Sequence, residues 1–233
     1  MVDGSPRIMH AALIIPALNE QECLGQTLAE LPAGLFRYVI VADNGSTDGT
    51  AAIARAHGAL VSQEPERGYG ATCLAALALL PADAEIVVFL QADGSEDAAE
   101  APRLLDPIRR NEADLVLGSR PLGRPAPGAL LPHQRFGNWL ACTLVRLLYR
   151  HTYTDLGPFR AIRRSSLAAL DLRDRNYGWT IEMQIRALQR GLRVLEVPVS
   201  YRPRRAGENK VSGHLRSSLA AGWIILSKVF SLR

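Results

Sequence analysis

The stretch EIVVFLQADGSED, residues 85–97, joins an apolar run to an acidic tip. The five apolar residues 86–90 predict a strand that is buried on both faces, which is typical of the middle of a parallel sheet. In an open parallel sheet, ligands bind beyond the carboxyl ends of the strands. Asp93 therefore lies where a divalent cation and a phosphorylated ligand are expected. Because magnesium needs only one or two protein carboxylates beside water and phosphate oxygens, we predict that Asp93 is a metal ligand.

Two helix starts are predicted from capping residues. Ser95 is expected to cap a helix whose first turn holds Glu96 and Asp97, since carboxylates are stabilised by the positive end of a helix dipole. Asn19 is expected to cap the helix that follows the first strand. On this interpretation, Glu96 and Asp97 have a structural role only.

Strand and helix signals alternate over the first half of the chain. Apolar runs that end at polar or turn-forming residues predict four further strands, over residues 11–16, 38–42, 59–62 and 114–118. Helical patterns occupy the intervals between them. This alternation predicts an α/β fold with a Rossmann-like, mostly parallel sheet, right-handed crossovers and flanking helices.

The second half of the chain is less regular. Residues 121–132 are rich in Pro and Gly, which predicts an exposed loop. Helices are predicted over residues 134–149 and in YGWTIEMQIRALQRG. Strands are predicted over residues 159–162 and in RVLEVPVSYRPR, where Pro198 favours a position near a sheet edge.

A C-terminal amphipathic helix over residues 214–233 is predicted next to a main domain over residues 1–213. Its apolar stripe consists of Leu215, Leu219, Trp223, Leu226 and Phe230. The longest uncharged run, residues 217–227, is well short of the roughly 20 residues that a spanning helix needs. Two arrangements stay open, one in which the helix lies in a membrane interface and one in which it docks on the domain.

Composition and charge narrow the class of partner and the compartment. The net charge of +4 is concentrated near the C-terminus, which suits anionic lipid or a phosphorylated substrate. Nucleic acid is not expected, since the aromatic content is 6% and the chain carries no RNA-binding signature. Cys23, Cys73 and Cys142 are far apart among apolar neighbours, which predicts buried thiols in a reducing compartment. The first ten residues lack the apolar core of a signal peptide, which favours a cytoplasmic location, including the inner face of the membrane.

An ordered series of motifs resembles a known family. The motifs are IIPALNE, VADNGSTDGT, RGYGAT, FLQADGSED, LVLGSR, TDLGPFRAI, WTIEM and EVPVSYRPRRAGENKVSG. In this order and spacing, from about residue 11 to residue 213, they resemble the nucleotide-diphosphosugar glycosyltransferases of family two, which have the GT-A fold. The later motifs are similar to the branch of dolichyl- and polyprenyl-phosphate mannosyl- and glucosyltransferases.

The resemblance implies a pocket for the base and ribose of a nucleotide-sugar donor, which is a UDP- or GDP-sugar. Its residues are Pro16, Ala17, Asn19, Glu20 and Asp43.

Gly68 and Gly70 are also implied in donor binding, where the missing side chain lets the backbone approach the nucleotide. The Asp-x-Asp motif of the family falls on Gln91, Ala92 and Asp93, so one aspartate is replaced by a neutral amide. The implied cofactor is Mg2+ or Mn2+, held by Asp93 and Gln91 with weaker affinity or greater dependence on the diphosphate.

The implied reaction is inverting transfer of a hexosyl group, glucose or mannose, to a lipid phosphate or another acceptor. A polyprenyl phosphate is already anionic and needs no strong base, whereas a hydroxyl acceptor needs a carboxylate, for which Asp155 and Glu182 are the candidates. Both could instead be structural partners of Arg160 or Arg202.

Several cations are candidates for holding the acceptor phosphate, since a guanidinium group binds phosphate oxygens in bidentate fashion. Arg120 and Arg135 are the expected clamps. Arg204, Arg205 and Lys210 are expected to close over the phosphates from the other side.

Two alternatives remain. A sugar-nucleotide binding protein with weak or no activity would explain Gln91. A dinucleotide-binding oxidoreductase is disfavoured, because the only Gly-x-Gly has Cys73 where the third glycine belongs. The sequence carries no signal for an oligomeric state.

Overall fold

A seven-stranded sheet runs through the computed structural model, which describes residues 9–123, 125–207 and 215–233. The strands are β1 Ala11–Ala17, β2 Tyr38–Asp43, β3 Leu60–Gln63, β4 Ile86–Phe89, β5 Leu115–Ser119, β6 Arg160–Arg163 and β7 Val194–Pro198. Their order across the sheet is β3-β2-β1-β4-β6-β5-β7. Strand β6 is antiparallel to both of its neighbours, and the other pairs are parallel. The mostly parallel α/β fold is therefore confirmed.

Helices cover both faces of this sheet. They are α1 Gln21–Ala29, α2 Thr50–Ala56, α3 Tyr69–Ala78, α4 Ala101–Arg109, α5 Pro132–Tyr149, α6 Arg164–Leu170, α7 Trp179–Gln189 and α8 Leu215–Ser231. Successive residues of a strand point to opposite faces, so Leu13 and Val88 join one core cluster while Ile14 and Val87 join the other. The three cysteines are free and buried.

The predicted central strand occupies the middle of the sheet. β4 pairs in parallel with β1 and antiparallel with β6, and its four residues have no exposed surface. Because β1, β2 and β4 run in the same direction, their carboxyl ends meet at one edge. The acidic tip after β4 lies at this edge.

Both predicted helix caps are wrong. Helix α1 is preceded by Glu20 at its N-cap, while Asn19 has a left-handed backbone (φ +50°) and accepts a hydrogen bond from the backbone N–H of Thr47. After β4, a short 3-10 segment over Ala98–Glu100 is capped by Asp97, whose carboxylate accepts from the backbone N–H of Ala99 at 3.0 Å. Asn19 and Ser95 are instead used to shape the loops at the sheet edge.

Helix α8 docks on α5 and α7, and two members of the predicted stripe are exposed. Ala221 and Val229 are buried, whereas Trp223 is 74% exposed and Phe230 is 56% exposed. The hydroxyl of Tyr149 donates to the carbonyl of Val229 at 2.7 Å. The predicted boundary between residues 213 and 214 lies outside the described residues. None of the helices in the described ranges combines the length and hydropathy that crossing a bilayer requires.

Candidate active site

The loops after β1 and β2 are fastened to each other at the carboxyl edge of the sheet. The N–H of Asn19 donates to the hydroxyl of Ser46 at 2.9 Å, and the Asn19 amide oxygen accepts from Thr47 at 2.8 Å. The N–H of Glu20 donates to the Thr50 hydroxyl at 2.8 Å. These contacts hold the side chain of Glu20 over a cavity of about 300 Å3.

Residues predicted for the base and ribose pocket lie together at this edge. The sheet register pairs Pro16 with Ala42 and Ala17 with Asp43. Asp43 is almost fully buried, and its carboxylate accepts from the N–H of Ser46 at 3.0 Å. The five predicted pocket residues are therefore neighbours, and their contact with a nucleotide stays a prediction.

The two glycines of RGYG pack tightly against the loop before α7. A Cβ atom on Gly68 would lie 2.1 Å from the carbonyl oxygen of Arg175, and one on Gly70 would lie 2.0 Å from that of Asp174. Gly70 also donates its N–H to the Asn176 carbonyl at 3.2 Å. The loop before α7 fills the space beside these glycines, so close packing of the chain requires glycine here, and their contact with a nucleotide stays a prediction.

The acidic tip after β4 is a tight turn with internal hydrogen bonds. The Asp93 carboxylate accepts from the N–H of Ser95 at 3.0 Å, and the Gln91 side-chain oxygen accepts from the Ser95 hydroxyl at 3.1 Å. Ala92 is buried, and its carbonyl accepts from the Thr27 hydroxyl at 2.9 Å. Within the described residues, no three Asp, Glu, His or Cys side chains are grouped as a metal site. Any cation bound at Asp93 would need ligands from the substrate and from water.

The side chain of Glu96 stabilises this turn by a hydrogen bond to its backbone, a role that the sequence did not indicate. Its carboxylate is buried and accepts from the backbone N–H of Gln91 at 2.9 Å. Burial, with a smaller contribution from the charge of Asp93, raises the pKa of Glu96 to about 8. Burial therefore favours the neutral form of Glu96, and the only clue in the sequence was its place directly after the turn.

The segment after β7 covers the acidic tip with three arginines, each paired with a carboxylate. Arg202 contacts Asp97, Arg204 contacts Glu20, and Arg205 contacts Glu30. Arg204 also lies 3.6 Å from the carboxylate of Asp93. Arg204 therefore lies beside the acidic tip, and its role in holding a phosphate stays a prediction. Lys210 lies outside the described residues.

A larger cavity, of about 460 Å3, opens between helix α5 and the loop that precedes β6. The predicted clamps Arg120 and Arg135 both line it, together with Trp139 and Arg146. The last two were not predicted, although positions 135, 139, 142 and 146 have the spacing of one helix face. The lining thus combines three guanidinium groups with apolar side chains.

Arg120 and Asp155 form a bidentate ion pair in the wall of this cavity. Both guanidinium–carboxylate bonds are 2.7 Å long, and the backbone N–H of Arg120 donates to the same carboxylate at 2.9 Å. Burial alone would lower the pKa of Arg120, but Asp155 outweighs it and the pKa is raised. The Arg120 guanidinium lies 5.0 Å from the ring centre of Tyr201, which forms a backbone bridge with Glu96. Tyr201 therefore links the wall of the cavity to the segment that follows β4.

Glu182, the other candidate base, is placed elsewhere. Its buried carboxylate accepts from the backbone N–H groups of Arg173 and Asp174, at 3.1 and 2.7 Å, and from the Arg186 side chain at 2.9 Å. It does not line the cavity. These contacts are structural. Arg160, one of the two alternative partners considered for Glu182 and Asp155, donates to the carbonyls of Gly157 and Thr180 instead.

Comparisons with known proteins agree with this architecture. Residues 12–171 match the family described as Glycosyl transferase family 2. An uncharacterized glycosyltransferase of Mycobacterium tuberculosis is 42% identical over 210 residues, which are 90% of this chain and 93% of that protein. An undecaprenyl-phosphate mannosyltransferase of Micrococcus luteus is 31% identical over 240 residues, which are 92% of this chain and 96% of that protein.

Among solved structures, the fold is similar to that of glucosyl-3-phosphoglycerate synthase from Mycobacterium tuberculosis, crystallised with Mn2+, UDP and glucosyl-3-phosphoglycerate. The TM-score is 0.78 over 96% of this chain and 80% of that one, at 23% identity. The match supports the GT-A fold. With the family match over most of the sheet and the 42% identical relative, it excludes the oxidoreductase alternative. The chain is a glycosyltransferase and belongs to glycosyltransferase family 2.

Proposed function

We propose that this glycosyltransferase moves a hexosyl group, with inversion at the anomeric carbon, from a nucleotide-diphosphosugar to the phosphate of a polyprenyl lipid. The observation that carries the proposal is the lining of the larger cavity, where guanidinium groups and apolar side chains meet next to the acidic edge. Guanidinium groups suit a phosphate, and apolar side chains suit the first part of a hydrocarbon tail. The similarity to an undecaprenyl-phosphate mannosyltransferase supports this acceptor class.

The carboxylate in the cavity wall favours a phosphate over a hydroxyl acceptor. Of the described residues that line the cavity, Asp155 is the only acid, and both of its oxygens are held by Arg120. A hydroxyl acceptor would need a carboxylate to take its proton during attack. A phosphate oxygen is already anionic at neutral pH, so its attack needs no base. Asp155 can then stay paired with Arg120 throughout the reaction.

The sugar donor is proposed to bind across the ends of β1, β2 and β4, with its diphosphate at Asp93. One carboxylate and the amide oxygen of Gln91 fit a hard cation such as Mg2+ or Mn2+ that shares the diphosphate oxygens. A bound cation would stabilise the negative charge that develops on the leaving nucleoside diphosphate. Arg204, which already lies beside Asp93, adds positive charge at the same place.

Helix α5, which lines the cavity, also carries features that suit peripheral contact with a membrane. Phe136, Trp139 and Leu147 on helix α5 are exposed, and Arg135 and Arg146 lie on the same helix. Aromatic and apolar side chains beside arginines are typical of helices that lie in a membrane interface. We propose that α5 faces the inner leaflet, which would present the lipid phosphate to Arg120.

A transfer assay tests the acceptor. Purified protein is incubated with Mn2+ and either UDP-glucose or GDP-mannose, together with undecaprenyl phosphate or with undecaprenol as the matched alcohol. The expected result is a glycolipid from the phosphate only, and its loss in Asp93→Ala. Equal transfer to the alcohol would contradict the argument from Asp155. Nucleotide binding without turnover, followed by a gain of turnover in Gln91→Asp, would support the weakly active binding protein instead.

A flotation assay tests the membrane contact. The double variant Phe136→Ser/Trp139→Ser should no longer float with anionic liposomes, whereas Trp223→Ser on α8 should float like the unchanged protein. The opposite pattern would mean that the C-terminal helix makes the contact.

A further inference from the structure

Glu196, on the edge strand β7, holds the loop that carries Asp155. Its carboxylate accepts from the backbone N–H of Thr154 at 2.9 and 3.0 Å, from the Thr154 hydroxyl at 3.0 Å and from the backbone N–H of Asp155 at 3.1 Å. These groups are 41 and 42 residues away along the chain. One carboxylate therefore fixes two successive residues of the loop.

A continuous set of hydrogen bonds leads from Glu196 to the guanidinium of Arg120. Glu196 fixes the backbone of Asp155, and the side chain of Asp155 then holds Arg120 through three bonds of 2.7 to 2.9 Å. The hydroxyl of Thr154 also contacts the hydroxyl of Ser119, the residue before Arg120, at 2.7 Å. Two of the guanidinium nitrogens of Arg120 are committed to Asp155, so the direction of the third depends on where Asp155 sits.

We propose that Glu196 is a positioning residue for the acceptor phosphate, which it orients through Asp155 and Arg120 without touching the substrate. The inference rests on the proposed function, because it takes Arg120 as the phosphate clamp. Glu196 does not line the cavity, and none of the motifs assigned a role to it. Its effect is expected on acceptor binding alone, since the donor edge is held by other contacts.

The two carboxylate oxygens of Glu196 make different contacts, and this difference decides which variants are compared. One oxygen of Glu196 accepts all three groups, and the other adds only a second contact to the N–H of Thr154. Glu196→Gln can keep the first oxygen in place, whereas Glu196→Ala removes both. Glu112→Ala is the matched control, because this exposed carboxylate pairs with Arg110 away from the cavity.

The kinetic test is a double-mutant cycle with undecaprenyl phosphate as the acceptor. Glu196→Ala should raise the KM for this acceptor by about tenfold or more, with kcat and the KM for the sugar donor changed by less than about twofold. Glu196→Gln should restore most of the loss. In an Arg120→Ala background, Glu196→Ala should have no further effect. The inference would be overturned if the effects of Glu196→Ala and Arg120→Ala on the acceptor KM multiplied in the double variant. It would also be overturned if Glu196→Ala impaired kcat and the KM values for donor and acceptor to the same extent.

A second readout does not depend on the reaction. Hydrogen exchange should be faster at the backbone amides of Thr154, Asp155 and Arg120 in Glu196→Ala, and unchanged in Glu196→Gln and Glu112→Ala. Unchanged exchange at these amides in Glu196→Ala would overturn the inference. If exchange responds as expected but the unchanged protein transfers nothing to the lipid phosphate, the proposed function fails while the positioning of Arg120 by Glu196 stands.

Discussion

Replacing Asp155 with Asn separates a positioning role from the role of a catalytic base. The substitution keeps the shape of the side chain but removes the charge opposite Arg120, whose side chain is only 15% exposed. The amide oxygen can replace one carboxylate oxygen, whereas the amide nitrogen would face a guanidinium N–H, donor against donor. A buried cation would then lack its counter-charge.

Asp155→Asn, which replaces one carboxylate oxygen with an amide nitrogen, is expected to cause a large loss of stability. Breaking a buried ion pair by removing one partner costs about 3–5 kcal/mol. For a domain of this size, each kcal/mol lowers Tm by about 2–4 °C, so Tm should fall by about 6–20 °C. Asp106→Asn is the matched control, since its pair with Arg109 is exposed and should contribute less than about 1 kcal/mol.

Activity distinguishes the two roles. If Asp155 positions Arg120, the Asn variant should lose acceptor affinity and keep most of kcat when the acceptor is saturating. If Asp155 is the base, kcat should fall by about a hundredfold or more while the acceptor KM stays near its original value. Thermal unfolding and steady-state kinetics on both variants decide this, and equal Tm values for Asp155→Asn and Asp106→Asn would refute the buried ion pair itself.

Three further predictions concern the carboxyl edge of the sheet and the residues packed beside it. Gln91→Asp adds a second carboxylate beside Asp93 and should lower the Mn2+ concentration for half-maximal activity, as measured by titration in the transfer assay; no change would mean that the Gln91 side chain is not a ligand. Gly70→Ala should destabilise the protein by about 1–3 kcal/mol, because a Cβ atom would lie 2.0 Å from the Asp174 carbonyl oxygen. Gly222→Ala, where a Cβ atom meets nothing within 4 Å, should be neutral or stabilising in the same urea titration. Equal effects of the two substitutions would disprove the clash. The pKa of Glu96 is raised from 4.5 to about 8, so the folded protein holds a proton that the unfolded chain releases, and stability from this group is lost as pH rises from about 4.5 to about 8. Stability measured by urea unfolding should therefore fall less steeply across this range in Glu96→Gln than in the unchanged protein, and equal slopes would contradict the raised pKa.

Local patterns in the sequence determined many of the strands and helices and the edge of the sheet at which the acidic tip lies. An apolar run of strand length identified β4, and alternation with helical segments predicted the parallel arrangement that brings its acidic end to the ends of β1 and β2. The position of Asp93 at this edge follows from strand direction alone. Arg120 and Arg135 were also predicted as a pair, on the strength of their motifs and of the loop between them.

Only the tertiary structure decided which charges meet, because ion pairs between distant residues depend on packing that periodicity does not record. Arg120 and Asp155 are 35 residues apart along the chain, and Arg204 and Glu20 are 184 apart. The same holds for the antiparallel direction of β6 and for the loop that packs against Gly68 and Gly70. The sequence by itself therefore determined that the acidic tip lies at the carboxyl edge of the sheet, and long-range packing determined which of its charged residues hold each other, since burial and hydrogen bonding are properties of the assembled fold.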